Sequence, residues 1–210
     1  MIRRRARVRR PQPPPYALLS YLLRYPEDDL AAAPAEVAAL PAGATRAALE
    51  RFLAEAGDGG GLRERYVETF DHRRRVTLHL TYYEHGDTRR RGVALLRLKR
   101  LYREAGLPFD GPELPDHLAV ILAFAALAPT GYGEAVLAEH RAALELLRLA
   151  LHDTASPYAH VADALDAGLP PLGTTERADV ARLAREGPPE EAVGLEPFAP
   201  PEVMPVGARP

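Results

Sequence analysis

Proline divides this chain more sharply than any other residue. Four of its 21 prolines fall in residues 1–15 and seven in 188–210, while none lies between 42 and 107. A proline inside a helix removes a backbone hydrogen bond and clashes with the preceding turn. The ends therefore resist long helices, and the middle is free to be continuously helical. Two hundred and ten residues suit one domain with tails. The reading is a basic Pro-rich arm at 1–15, a folded unit at 16–186 and an acidic Pro-rich tail at 187–210.

Charge and cysteine content then remove several function classes. With 27 Lys+Arg against 29 Asp+Glu the net charge is −2, which describes neither a globally basic nucleic-acid binder nor an acidic solvating chain. Zero cysteines exclude a disulfide framework, a thiol nucleophile and thiolate-bound zinc or iron–sulfur clusters. The start, Met1 to Arg10, is rich in arginine, but Pro11 to Pro15 follow it instead of an export-signal apolar core. The longest apolar run, Leu118 to Pro129, is about twelve residues where a bilayer span needs roughly 20. It reads as a buried core helix.

Helical periodicity recurs along the folded unit. Leu18, Leu19, Leu22 and Leu23 form a stripe that ends before Pro26. Pro34 opens a helix through Leu40, and Thr45 is placed to cap one carrying Leu49 and Phe52. Leu62, Tyr66 and Phe70 share a line at four-residue spacing. After Gly86, Asp87 or Thr88 caps a helix that Gly106 stops. Residues 117–128 are apolar nearly all round, 133–152 carry one stripe through Val136, His140, Leu144 and Leu151, and further helices cover 156–168 and 175–185. Residues 76–83 alternate β-branched and aromatic residues like a strand, yet no second strand offers a pairing edge; a helix or an irregular buried segment is expected. The fold class is all-α, a single-domain bundle of about seven to nine helices. The tail beyond Gly187, with its prolines and Glu190, Glu191, Glu196 and Glu202, is not expected to order itself alone. Opposite charges at the two ends permit either to fold back over a peptide groove.

The catalytic vocabulary is nearly empty: no GxSxG, Walker A, GxGxxG, HExxH or EF-hand pattern occurs. His72, His79 and His85 crowd one segment with Asp71, Glu84 and Asp87, but no pair of these histidines has the four-residue spacing that sets two ligands on one helical face. A metal-dependent hydrolase using His72, His79, His85 and Asp87 is the alternative reading. Glu113-Leu114-Pro115-Asp116-His117 reads equally as a helix start, with Asp116 at the positive helix end, or as polar groups at the mouth of a groove. Between Arg73 and Arg103 ten basic residues face only Glu84 and Asp87, which suits a solvated face or a site for phosphate, a nucleotide-bearing cofactor or nucleic acid. No nucleic-acid recognition motif accompanies it.

Three blocks, Tyr66 to Asp71, Tyr82-Tyr83-Glu84-His85-Gly86-Asp87-Thr88-Arg89-Arg90-Arg91-Gly92 and Glu113 to His117, occur in an order that resembles the nitrate reductase molybdenum cofactor assembly chaperones, the so-called delta subunits. These stand among the all-helical redox-enzyme maturation chaperones, whose acidic-Pro-Asp-His signature maps onto Glu113, Pro115, Asp116 and His117. The resemblance covers roughly 16–165 and leaves both tails outside. It implies a cytoplasmic chaperone, not an enzyme, with no cofactor or metal of its own. It would bind the N-terminal segment of the apo catalytic (alpha) subunit of respiratory nitrate reductase while molybdenum cofactor is installed. Nucleic-acid binding and membrane insertion are not expected, and the chain would be a monomer or homodimer. The residues it nominates for the client peptide are Tyr66, Phe70, Tyr82, Tyr83, His85, Asp87, Arg89, Glu113, Asp116 and His117.

Overall fold

The computed structural model describes residues 14–27, 30–57, 60–71 and 76–189. Among these the chain forms eleven helices: α1 (Tyr16–Leu22), α2 (Ala33–Ala39), α3 (Ala44–Ala56), α4 (Gly60–Phe70), α5 (Leu80–His85), α6 (Arg89–Glu104), α7 (Leu118–Leu127), α8 (Tyr132–Glu139), α9 (Arg141–Asp153), α10 (Tyr158–Asp166) and α11 (Thr174–Glu186). The all-α class is as the periodicity indicates. The expected arm and most of the expected tail, 1–13 and 190–210, lie outside the described residues, as do His72 and Arg73 to Arg75.

The core is one continuous cluster to which α1 and α3 to α10 contribute leucines or aromatic residues and α2 contributes Ala33 and Val37. α1 lies along α7, Leu18, Leu19 and Leu22 joining the same buried cluster as Ile121 and Leu122, and the Ser20 hydroxyl donates to the Ala119 carbonyl at 2.7 Å. α10 packs on α3, and α9 on α10 and α11. Phe52, Tyr66, Phe70 and Tyr158 form an aromatic knot with centroids 4.9 to 5.8 Å apart. Thr45 does not cap α3, which starts behind Gly43; its hydroxyl reaches across to the Ala164 carbonyl of α10 at 3.4 Å.

The run 133–152, read as one stripe, is two helices. His140, at φ −98° and ψ 20°, ends α8 and begins α9. Its N–H donates to Val136 and its carbonyl accepts from Leu144, so both ladders stay satisfied through the bend. α8 can then pack on α7 while α9 packs on α10 and α11.

Residues 76–83 resolve into a short extended lead-in followed by α5. The strand-like half does find a partner, in the segment before α7. Leu80 N–H donates to the Asp116 carbonyl at 3.1 Å and Leu118 N–H to the Leu78 carbonyl at 2.7 Å, forming a single antiparallel bridge at His79 and His117. α6 ends where expected: Gly106 adopts φ +79°, the left-handed position that glycine takes without a Cβ penalty.

Candidate functional site

The bridge between His79 and His117 brings the conspicuous sequence blocks together. Asp116, expected either at a helix end or at a groove mouth, lies one residue before the N-cap of α7 but is 0% exposed and makes no capping bond. Its carboxylate accepts from His79 Nδ1 at 3.1 Å and from the Thr81 hydroxyl at 2.5 Å, while Arg91 Nη2 lies 3.6 Å away. Burial works to raise its pKa, but the hydrogen bonds from His79 and Thr81 and the Arg91 charge outweigh that and hold it below the usual carboxylate range. Arg91 also bonds Asp87 at 3.0 Å and lies over the Tyr82 ring, 5.7 Å from its centroid. Asp87, Arg91, Asp116 and His79 thus make one charged network across the α5–α6–α7 junction.

His117 supplies the cap that Asp116 does not. Its Nδ1 accepts from Ala119 N–H at 3.2 Å at the start of α7. That bond needs an unprotonated Nδ1, and burial agrees by pulling the imidazole down to about 4. The His79 and His117 rings meet edge to face at 5.2 Å. Below them the Tyr102 hydroxyl donates to the Pro115 carbonyl at 2.7 Å, fixing the turn from the α6 side.

His117 lines a groove of about 630 Å³. Val120, Ala123, Phe124 and Leu127 of α7 form its floor, and the loop Gly106-Leu107-Pro108-Phe109 forms one wall. Arg24, Tyr25 and Tyr66 also line it, together with Glu113 and His117. Leu127 is 73% exposed, so a large apolar side chain stands open to water. Tyr66 is anchored by its hydroxyl to the Leu23 carbonyl at 3.3 Å, and burial with nearby Asp71 and Glu113 pushes its pKa up to about 12.

Of the residues nominated from sequence, Tyr66, Glu113 and His117 line this groove. Asp116 stands behind it, with Asp87 connected through Arg91. Tyr83 is buried, its hydroxyl donating to the Thr77 carbonyl at 3.2 Å. Phe70 belongs to the aromatic knot, and Tyr82 lies beneath Arg91. His85 opens onto a separate, smaller cleft with Glu84, Arg97 and His140, and Arg89 lies exposed on α6. Leu107, Phe109 and Leu127 escaped the sequence reading. Their signal was an apolar loop directly after a glycine stop, and a helix too apolar on every side for its one buried face.

Nothing among the described residues supports the hydrolase alternative. No three His, Asp or Glu side chains there are placed to hold a metal ion, and His79 is engaged by Asp116. His72 lies outside the described residues. No helix among them is long and apolar enough to cross a membrane.

Fold and groove define an all-helical protein with an apolar groove beside the His79–His117 bridge. Residues 37–163 match the nitrate reductase delta subunit family, and the chain belongs to that family. It is 31% identical over 170 residues to the probable nitrate reductase molybdenum cofactor assembly chaperone NarJ of Bacillus subtilis (strain 168), covering 78% of this chain and 92% of that protein. It is 43% identical over 101 residues to the nitrate reductase-like protein NarX of Mycobacterium tuberculosis (strain ATCC 25618 / H37Rv), a match spanning 48% of this chain and 16% of that protein. The NarJ chaperone of Escherichia coli (strain K12) is 36% identical over 100 residues, 42% of its length.

Proposed function

We propose that this protein is an assembly chaperone of a respiratory nitrate reductase, a cytoplasmic binding protein without turnover. Its client is the N-terminal segment of the apo catalytic subunit, held until molybdenum cofactor has been inserted. The molybdenum cofactor is cargo of the client and no resident group of this chain.

The observation that carries this reading is the groove. An amphipathic helix laid into such a trough places apolar anchors every three or four residues against Val120, Phe124 and Leu127, and Phe109 closes over it. Glu113 and His117 supply the few polar contacts that fix direction. The charged network behind His117 positions these groups without meeting the client. Tyr82, His85, Asp87 and Arg89 lie outside the groove lining and serve the α5–α6 junction or its surface.

Calorimetric titration of the full chain with a client N-terminal peptide of about 20 residues, ~30 Å as a helix, tests the reading. Saturable binding is expected, weakened about tenfold or more in Leu127→Asp, where each tenfold is about 1.4 kcal/mol. Equal affinity in the wild type and Leu127→Asp, or no binding, contradicts it.

A further inference from the structure

Neither the groove nor the charged network uses the exposed face of α6. Val93 and Leu96, at i and i+3, are each 68% exposed. Around them lie Arg89, Arg90, Lys99 and Arg103, all exposed. Arg97 and Arg100 on the same helix are paired with Glu139 and Glu104. Arg90, Lys99 and Arg103 meet no acid among the described residues. An apolar ridge flanked by unneutralised cations is a surface for an acidic, partly apolar segment.

The chain itself carries such a segment, and delivers it there. Pro189, the last described residue, lies directly on Gly86: a Cβ at Gly86 would fall 1.8 Å from the Pro189 carbonyl oxygen. Gly86 lies three residues before the start of α6, whose 16 residues span about 24 Å. Ten extended residues reach about 33 Å, so 190–199 suffice to run the length of the helix. The sequence that follows Pro189 contains Glu190, Glu191, Glu196 and Glu202, interleaved with Leu195 and Phe198, against one cation, Arg209. The arginine-rich start of the chain has the wrong sign for this face.

We infer that residues 190–204 dock along the exposed face of α6, their glutamates on Arg90, Lys99 and Arg103 and their apolar residues on Val93 and Leu96. This contact is independent of the groove and needs no client. It shields an exposed apolar ridge and reserves the face for an acidic sequence.

The chain has no cysteine, so Ala199→Cys gives one attachment point for a nitroxide label on the full-length protein. The expected result is loss of amide signal intensity along α6, centred on Val93 and Leu96. The intensity should recover at about 1 M salt, where the screening length falls to about 3 Å, and in the exposed-surface variant Arg90→Glu/Lys99→Glu/Arg103→Glu. Intensity loss centred on the 106–127 groove, an even loss over the molecule, or no loss overturns the proposal. So does an α6 that is unaffected by the label but responds to phosphatidylglycerol vesicles, which assigns the face to an anionic lipid surface.

Discussion

Arg91 Nη2 sits 3.6 Å from Asp116 Oδ2, and that approach joins the first turn of α6 to the segment leading into α7. The Arg91 Nε is buried and has no hydrogen-bond partner among the described residues, so the guanidinium relies on Asp116 and Asp87 for its compensation. Removing Asp116 leaves the half-buried Arg91 with Asp87 alone and takes the acceptor from the buried Thr81 hydroxyl and the half-buried His79 ring. Asp116→Ala and Thr81→Val are each expected to cost about 1–3 kcal/mol. Urea unfolding monitored by circular dichroism reads both. A near-neutral Asp116→Ala would mean that the network contributes nothing to the junction. Loss of client binding in that variant therefore reports on folding before it reports on contact.

His117 gives the fold an acid limit. Its folded pKa, about 4, lies below the ordinary value of 6.5, because burial disfavours the charged ring. The unfolded chain then binds more protons than the folded one between those values, so stability is complete above about pH 6.5 and falls as pH drops toward 4. The shift corresponds to a loss on the order of 3 kcal/mol. His140, also lowered by burial, acts in the same direction. His117→Asn keeps a capping acceptor and removes the titration. Its stability should change less between pH 7 and pH 5 than that of the wild type, and an unchanged slope would remove His117 from the account.

Gly86 carries two constraints at once, φ +54° and the Pro189 carbonyl against its face. Gly86→Ala strains the backbone and pushes the 187–189 segment off the α5–α6 turn. A loss of about 1–3 kcal/mol is expected, with faster hydrogen exchange at the start of α6. Wild-type stability in this variant would show that Pro189 yields without cost.

Tyr102→Phe removes one donor and leaves the Pro115 carbonyl, buried beside Asp116, without its partner. The expected cost is about 1–3 kcal/mol, with the packing against Phe124 retained at 4.4 Å. Thermal unfolding distinguishes this from an unchanged protein.

What the sequence disclosed was local. Gly106 as a stop, the apolar run of α7 and the stripe of α1 are properties of neighbouring residues, and periodicity reads them directly. The break at His140 was hidden because no proline or glycine marks it; two different packing partners, not local chemistry, bend the chain there. Asp116 was singled out by its motif but turned inward, because His79 and Thr81 come to it from 37 and 35 residues away. The same pairing explains the strand-like pattern of 76–79, whose bridge partner is a single turn before α7. Leu107 to Phe109 and Leu127 were passed over because exposure of apolar groups is a tertiary property.

The most direct test of the central claim is hydrogen exchange on the full chain with and without the client N-terminal peptide. Slowed exchange is expected in residues 106–127, extending to the neighbourhood of Tyr25 and Tyr66. Protection confined to the cleft formed by Tyr16, Gly131 and Pro170, or no protection at saturating peptide, would contradict it.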